Sequence, residues 1–336
     1  MLNIYFEPPP AYFMHVGKTG GTALGRWLRV HYGSGYVDLD PPRLGRFTAA
    51  ELQRFRCYHA WHCGRGLFDL IGRGDLPVIT MLREPVERAV SSFHHAYREV
   101  TDHPGDFSDG YLSAMRPLLQ GTIGDGLNHP RVANRLSNAQ IRLLGGRAEY
   151  AGFLKRGAHA NPPGGLRRPY RVPQQINRND YPKLAVNAHA WLEEMAVVGL
   201  TEHYAESVLL VADLLGLPVP AELPSANVNP QRSAPTMRYR EQLAPEVAAR
   251  LEELNRYDLE LYAHATALFE QQWARYQAQP RRTYSIASRL RRRKSDVRGW
   301  LRRTWPGLAV QVRRARAGAH KPQPSTDDVS GADGDR

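Results

Sequence analysis

Residues 11–30 read AYFMHVGKTGGTALGRWLRV, and this pattern predicts a strand, a glycine-rich turn and a helix in succession. Residues 12–16 form the short apolar strand, and residues 23–30 carry apolar side chains at helical spacing. Glycines in the turn let the backbone fold tightly, and the free N–H groups at the start of the helix attract an anion. Lys18 adds a positive charge, and Thr19 and Thr22 add hydroxyl donors. This segment therefore predicts a phosphate-binding turn.

Two other interpretations of the turn have to be considered. The residues Gly17, Lys18 and Thr19 match the last three positions of the nucleotide-binding pattern G-x-x-x-x-G-K-[ST]. The first glycine of that pattern would fall at Tyr12, inside the predicted strand, so the match fails where the loop should begin. The second interpretation is an ordinary glycine-rich turn with a surface lysine, which the density of hydrogen-bond donors disfavours.

The rest of the chain alternates between short apolar runs, which are typical of strands, and apolar residues at helical spacing. Further strands are predicted at residues 56–61, 78–82 and 196–200, and helices at residues 86–100, 205–215, 241–254 and 258–276. This alternation predicts an α/β fold with a mainly parallel sheet and helices on both faces. Residues 101–180 are richer in Gly, Pro, Asn and Arg, and we expect loops and short helices there, around a site.

A second candidate anion contact follows a later strand, in residues 80–92, which read TMLREPVERAVSS. Arg83 ends the strand, and Ser91 comes eight residues later within the next helix. A fork-shaped guanidinium and a hydroxyl that approach from two directions suit a phosphate dianion. The ordinary alternative is that Arg83 pairs with Glu84 or Glu87.

Taken together, the two motifs resemble those of sulfotransferases that use 3′-phosphoadenosine-5′-phosphosulfate (PAPS). The similarity is strongest to the carbohydrate O-sulfotransferase branch that includes heparan sulfate 2-O-sulfotransferase and its bacterial relatives. It continues through SNAQIRLLG (residues 137–145), VGLTEHY (198–204) and LNRYDLELY (254–262), and so covers about residues 11–275.

The resemblance implies an α/β fold of the P-loop-NTPase-like type, PAPS as the co-substrate and adenosine 3′,5′-bisphosphate (PAP) as the product. Residues matching the first motif would grip the 5′-phosphosulfate: Lys18, Thr19, Gly20, Gly21 and Thr22. Those matching the second would hold the 3′-phosphate: Arg83 and Ser91, with Arg232 as a later basic contact. Lys18 would also offset the charge on the departing phosphate. Glu84 stands where the family more often has Asp, a departure that affects local loop geometry.

Transfer to an alcohol needs a base for the hydroxyl proton, and histidine is suited because its pKa lies near working pH. The family pattern Gly-His-x-x-x-Gly-Leu fits His62 followed by Gly66 and Leu67, although Trp61 replaces the first glycine. His62 is therefore the predicted catalytic base. His59 is the competing candidate, or else a supporting or ordinary buried histidine. Cys57 and Cys63 flank these histidines without the paired spacing of a zinc site, so no metal is expected.

The positive charge of the protein is concentrated near one end of the chain. The 336 residues carry a formal net charge of +12, and residues 281–316 hold 13 basic residues against one acidic residue. With the resemblance above, we expect residues 1–280 to form a single sulfotransferase domain. Residues 281–316 form a basic extension of it, and residues 317–336 are expected to be disordered. The pattern of residues 281–316 is compatible with an amphipathic helix on an anionic membrane or with a solvated tail. We expect no specific binding of nucleic acid.

Composition limits the remaining choices. We expect a cytoplasmic protein, because the chain has two cysteines, a mean hydropathy of −0.50 and no pattern of a secretory signal. The basic tail is a candidate for peripheral contact with the inner face of the membrane. The expected function is transfer of a sulfuryl group from PAPS to a hydroxyl group of a carbohydrate or glycan-like acceptor. The alternatives are an ATP-dependent small-molecule kinase and a non-catalytic nucleotide-binding or membrane-recruited factor.

Overall fold

The protein is built on a parallel sheet, seen in a computed structural model that describes residues 7–102, 121–154, 178–220, 222–224 and 238–279. The strands are β1 (Ala11–His15), β2 (Tyr36–Leu39), β3 (Cys57–Trp61), β4 (Val78–Leu82) and β5 (Val197–Leu200). Their order in the sheet is β2-β3-β1-β4-β5, and all neighbouring pairs are parallel. Strand β1 is therefore central.

Helices flank this sheet. In chain order they are α1 (Gly21–Tyr32), α2 (Pro41–Leu44), α3 (Ala49–Leu52), α4 (Arg65–Ile71), α5 (Pro85–Asp102), α6 (Ile123–Leu127), α7 (Pro130–Leu136), α8 (Ala139–Leu144), α9 (Tyr181–Glu193), α10 (Tyr204–Leu214), α11 (Pro245–Leu254) and α12 (Arg256–Ala278). Short 3-10 turns lie at Gly33–Gly35, Ala151–Phe153, Arg178–Asp180, Thr201–His203 and Tyr239–Gln242.

Apolar side chains form two buried clusters. The larger cluster contains every apolar residue of β1 and apolar side chains of α1, α4, α9, α10 and α12. A strand buried on both faces reads as a continuous apolar run, as residues 11–14 do. The smaller cluster joins α5, α7 and α11 through residues such as Phe93, Leu136 and Leu251. Helix α5, which contains Ser91 of the second predicted anion motif, thus packs against the smaller cluster.

The structure confirms the α/β fold and the parallel sheet. Strands β1, β3, β4 and β5 lie within one residue of their predicted bounds, and the predicted helices correspond to α1, α5, α10, α11 and α12. The expected short helices within residues 101–180 are present as α6, α7 and α8. Edge strand β2 and helix α9 are present although the sequence pattern did not predict them.

Some predictions concern residues outside the described ranges. The basic segment 281–316 and the C-terminal segment 317–336 are among them, so their membrane and disorder assignments stay predictions. Of the helices in the described ranges, none combines the length and apolar character needed to span a bilayer.

Helix α9 offers a test of how the sheet is covered. Trp191 on α9 is 1% exposed and contacts Phe68 of α4, with ring centroids 6.4 Å apart. We expect Trp191→Ala to lower the free energy of unfolding by about 3–5 kcal/mol, because it leaves a large cavity. Val186 on the same helix is 68% exposed, and Val186→Ala should change it by less than about 0.5 kcal/mol. Urea denaturation of both variants makes the comparison, and equal effects would show that α9 does not cover the core.

Candidate functional site

The loops after β1, β3 and β4 leave the sheet at the same edge. Parallel pairing places His15 beside Trp61 and Met14 beside Thr80. The carboxyl ends of parallel strands are where open α/β sheets bind ligands. The glycine-rich turn, His62 and Arg83 follow these three ends, so the structure brings the two predicted anion motifs and the predicted base to one edge.

The turn between β1 and α1 is shaped for an anion. Lys18 and Gly20 both have left-handed backbone angles, with φ of 73° and 79°. Gly20 is the N-cap of the 12-residue helix α1 and makes no side-chain cap hydrogen bond, so the N–H groups of the first helical turn, which include Gly21 and Thr22, have no acceptor within the helix. These donors and the positive end of the helix dipole face the same direction. A phosphate group placed there would supply the missing cap.

Thr19 contributes to this turn mainly from inside. Its side chain is fully buried, and its hydroxyl donates a hydrogen bond to the Val16 carbonyl over 2.8 Å. The hydroxyl proton is therefore used within the turn, and the backbone N–H of Thr19 is what it can offer to an anion. Thr22 is half-buried at the start of α1.

Lys18 lies in a positive environment. Burial and, to a lesser extent, the positive charges of Arg98 and Arg83 together lower the pKa of its amine to about 8, against an opposing contribution from Glu99. A cation that is partly desolvated beside other cations gains from an anionic partner. The environment of Lys18 therefore favours a bound anion.

Arg83 already has one acidic partner. Its Nη2 atom lies 3.2 Å from Oε2 of Glu87, which is the ordinary pairing that the sequence left open. Its Nη1 atom lies 3.5 Å from the Lys18 carbonyl oxygen, so the guanidinium reaches the glycine-rich turn. The Nε atom is buried and has no hydrogen-bond partner within the described ranges. Arg83 can thus keep Glu87 and still donate to an anion. Ser91 lies half-buried on α5.

Three histidine rings rest against three glycines spaced four residues apart. A Cβ atom added at Gly17 would lie 2.5 Å from Cε1 of His62, one at Gly21 would lie 2.2 Å from Cδ2 of His15, and one at Gly25 would lie 2.3 Å from Cε1 of His59. A side chain at any of these three positions would overlap the histidine ring beside it, so the rings can lie there only because the residues are glycines. We call these six residues the glycine–histidine ladder.

The inner end of the ladder is anchored on a carboxylate. Oδ1 of Asp38 lies 2.9 Å from Nδ1 of His59, and Nε2 of His59 lies 3.0 Å from Nδ1 of His15. Asp38 also accepts hydrogen bonds from Tyr36 and Trp61 and pairs with Arg29. The Tyr36 hydroxyl also lies 2.5 Å from Nδ1 of His59. Both ring nitrogens of His59 therefore have hydrogen-bond partners, and the ring is held between Asp38 and His15.

Burial disfavours the charged form of both inner histidines. Burial, together with the charges of Arg29 and Arg43, lowers the pKa of His59 to about 3. Burial, followed by the neighbouring His59, His62 and Lys18, lowers the pKa of His15 well below its usual value. An uncharged pair is what a buried position next to a cationic turn requires.

The geometry separates the two candidates for the base. His59 is 1% exposed and its ring is enclosed by Asp38, His15 and α1. His62 is exposed, its ring lies against Gly17, and its backbone is left-handed with φ of 53°. A non-glycine residue in that region is a sign of a functional constraint. The exposed ring of His62 can reach a ligand at the turn, whereas the buried ring of His59 contacts His15 and Asp38.

Two residues near the turn were not predicted from the sequence. Arg98 lies on α5 seven residues after Ser91, and this two-turn spacing on one helix face is a signal that could have found it. Tyr204 begins α10, and a Cβ atom at Gly20 would lie 3.1 Å from its ring. The Tyr204 hydroxyl is buried without a hydrogen-bond partner in the described part of the chain. Arg232, the predicted late contact, lies outside the described residues.

Within the described ranges, no group of three or more His, Cys, Asp or Glu side chains has the arrangement of a metal site. Cys57 and Cys63, which flank the two histidines in sequence, are both buried, and burial raises the pKa of both thiols. A raised pKa disfavours the thiolate that zinc requires.

Comparison with known proteins matches residues 10–265 to a family described as the sulfotransferase family. Two zebrafish (Danio rerio) proteins are similar to the chain. Heparan-sulfate 6-O-sulfotransferase 2 is 27% identical over 332 residues, and heparan-sulfate 6-O-sulfotransferase 3-B is 25% identical over 300 residues. The alignments cover 86% and 78% of this chain, and the chain spans 64% of the length of each relative. These relatives carry the 6-O designation rather than the 2-O designation of the branch named from the motifs.

The Lys18 amine can be observed directly, because the chain contains five lysines. We expect the carbon-13 NMR signal of the Lys18 Cε atom to titrate near pH 8, since burial and nearby arginines lower its pKa to about 8. The amine is then charged at pH 7 and neutral above pH 9. Added PAP should move this titration to higher pH, because an anion favours the charged form. Lys18→Arg identifies the signal, and a protein with no lysine titrating below pH 9 would contradict the prediction.

The ladder makes a second prediction. Alanine is ordinarily preferred over glycine in a helix by about 0.5–1 kcal/mol, yet Gly25→Ala should destabilise the protein by about 1–3 kcal/mol because its Cβ meets the His59 ring. In a His59→Ala background the same change should be neutral or stabilising. A double-mutant cycle by thermal unfolding measures the difference. Equal effects in both backgrounds would show that the ring does not set the position of α1.

Proposed function

The chain belongs to the sulfotransferase family, and from this premise we propose that it transfers the sulfuryl group of PAPS to a hydroxyl group of a glycan. The observation that carries the proposal is the convergence of Lys18, Arg83 and His62 at one sheet edge, beside the uncapped start of α1. Two cations and a helix N-terminus suit a donor with phosphate groups at both ends of its ribose. An exposed imidazole suits an acceptor that must lose a proton.

In this proposal the turn binds the 5′ end of the donor. The N–H groups at the start of α1 receive the 5′-phosphosulfate, and Lys18 lies next to the oxygen that bridges phosphorus and sulfur. As that bridging bond breaks, negative charge develops on the phosphate, and the Lys18 ammonium stabilises it. Arg83 and Ser91 hold the 3′-phosphate of the same molecule. Nη1 of Arg83 also lies 3.5 Å from the Lys18 carbonyl oxygen. A direct contact therefore links the residues that bind the two phosphate groups.

His62 acts as the general base. The acceptor oxygen attacks sulfur from the side opposite the bridging oxygen, so that a new S–O bond forms as the old one breaks. The hydroxyl proton passes to the His62 imidazole, and PAP leaves with the electron pair of the broken bond. Positioning and electrostatic stabilisation carry most of the catalysis in such transfers, by analogy with phosphoryl transfer. The ladder holds the His62 ring against Gly17, directly over the turn.

The glycan acceptor is proposed from the similar proteins. Both zebrafish relatives are named for heparan sulfate, a sulfated polysaccharide, so a sugar hydroxyl is the first acceptor to test. The exposed position of His62 at the sheet edge is compatible with a large acceptor, because a polymer cannot enter a closed cavity.

The experiment measures donor binding and transfer separately. We expect the wild-type protein to bind PAP by calorimetry and to transfer ³⁵S from labelled PAPS to at least one member of a glycan panel that includes heparan sulfate. His62→Ala should lose transfer by about 10²–10⁴-fold and keep its affinity for PAP within about threefold. His264→Ala is the matched control, because His264 contacts Glu193 and His189 instead of the turn, and it should keep full transfer.

The outcomes distinguish the alternatives. A wild-type protein that ignores PAP at millimolar concentration would overturn the proposal entirely. Phosphate transfer from ATP in the presence of magnesium, with no sulfuryl transfer from PAPS, would make it a kinase. PAP binding with unchanged transfer in His62→Ala would keep the sulfotransferase and remove His62 as the base.

A further inference from the structure

The backbone of Arg83 is held on both sides by one buried carboxamide. Oε1 of Gln140 accepts a hydrogen bond from the Arg83 N–H over 3.1 Å, and Nε2 of Gln140 donates to the Arg83 carbonyl over 2.9 Å. Gln140 is fully buried. The pair resembles the two bonds exchanged between neighbouring strands, and it fixes both peptide groups of Arg83 just beyond the end of β4.

Gln140 is in turn fixed by a carboxylate from another part of the chain. Oδ2 of Asp258 accepts from the N–H of Gln140 over 2.9 Å, and Oδ1 accepts from the N–H of Ile141 over 2.8 Å. Asp258 lies in the first turn of α12 and is fully buried. These are N–H groups of the first turn of α8, which otherwise lack acceptors within the helix. Asp258 therefore sets the position of α8 and of the carboxamide that α8 carries.

Two asparagines complete the connection between α8 and α12. The N–H of Asn138 donates to Oδ1 of Asn255 over 2.9 Å, and the N–H of Asp258 donates to Oδ1 of Asn138 over 3.1 Å. Asn138 adopts a left-handed backbone with φ of 44°. The motifs at residues 137–145 and 254–262, which carry part of the family resemblance, thus interlock through buried side chains. Neither motif contributes a contact to the glycine-rich turn among the contacts described.

The side chain of Arg83 is oriented independently of Gln140. Glu87 uses Oε2 for Arg83 and Oε1 for the backbone N–H of Arg240. The Tyr239 ring lies 5.7 Å from the centre of the guanidinium. Backbone and side chain of Arg83 are therefore held by separate groups, and the position of the guanidinium depends on both.

We propose that Gln140 is a positioning residue for recognition of the 3′-phosphate of the donor. It does not touch the nucleotide; it fixes Arg83 at the distance that lets the guanidinium reach both the turn and the 3′-phosphate. This inference rests on the proposed function, in which Arg83 binds that phosphate. It predicts that loss of Gln140 weakens the binding of nucleotides that carry a 3′-phosphate and spares those that lack one.

The test compares PAP with adenosine 5′-monophosphate, which differs from PAP by the missing 3′-phosphate. In Gln140→Met, a side chain of similar volume loses both hydrogen bonds to Arg83. We expect calorimetry to show the affinity for PAP reduced tenfold or more, and the affinity for adenosine 5′-monophosphate changed less than threefold. Ser207→Ala is the matched control, because Ser207 is also fully buried and its hydroxyl bonds to the Leu200 and His203 carbonyls, outside the connection between α8 and α12. It should leave both affinities unchanged.

A smaller change keeps the test decisive if Gln140→Met does not fold. Gln140→Glu preserves the size and the acceptor for the Arg83 N–H, and its ionised carboxylate has no donor for the Arg83 carbonyl. It should still reduce the preference for PAP over adenosine 5′-monophosphate by threefold or more. Equal weakening of both nucleotides in a folded variant would show a general structural role and overturn the inference, as would an unchanged preference.

Failure of the proposed function would look different. In that case the wild-type protein itself would show no preference for PAP over adenosine 5′-monophosphate. A wild-type preference that survives in both Gln140 variants would leave the sulfotransferase proposal intact and remove Gln140 from recognition of the donor.

Discussion

The close approach of imidazole rings to bare backbone is the contact on which the rest of the site depends. His62, His15 and His59 occupy the space that side chains at Gly17, Gly21 and Gly25 would fill. Helix α1 can therefore lie near β1 and β3 with polar rings between them, anchored on Asp38. That placement determines where the first turn of α1 points its N–H groups, and it carries the one exposed ring of the ladder to the same edge. The proposed anion binding and the proposed proton transfer thus depend on one packing arrangement.

Strained backbone is concentrated where ligand contacts are proposed. Within the described ranges, the non-glycine residues with positive φ are Lys18, His62 and Asn138. Lys18 and His62 belong to the glycine-rich turn and the base, and Asn138 belongs to the connection that supports Arg83. Such conformations persist where the surrounding contacts over-determine them. Each of the three is held in this way: Lys18 by the carbonyl contact with Arg83, His62 by its bond to the His15 carbonyl, and Asn138 by Asn255 and Asp258.

Local sequence patterns predicted most of the fold and the parts of the site that lie in single motifs. The apolar runs of β1 and β4 and the long helix α5 have periodicities that need no tertiary information. Strand β2 was missed because Tyr36–Leu39 has four residues and includes Asp38. That aspartate is explained by its bonds to His59 and Trp61, which no local pattern contains. The prediction of His62 over His59 rested on its spacing from Gly66 and Leu67. The contacts of Gln140 with Arg83 and with Asp258 join residues 57 and 118 positions apart, which no local pattern contains.

The bond between Asp258 and the first turn of α8 has a consequence for biosynthesis. A ribosome makes the chain from its N-terminus, so Arg83 and the whole glycine-rich turn leave the exit tunnel while α12 has not yet been translated. The central strands can pair at that time, but the carboxamide behind Arg83 has no fixed support until residue 258 has emerged. The support behind the proposed nucleotide site can therefore form only after the residues of all five strands have been synthesised.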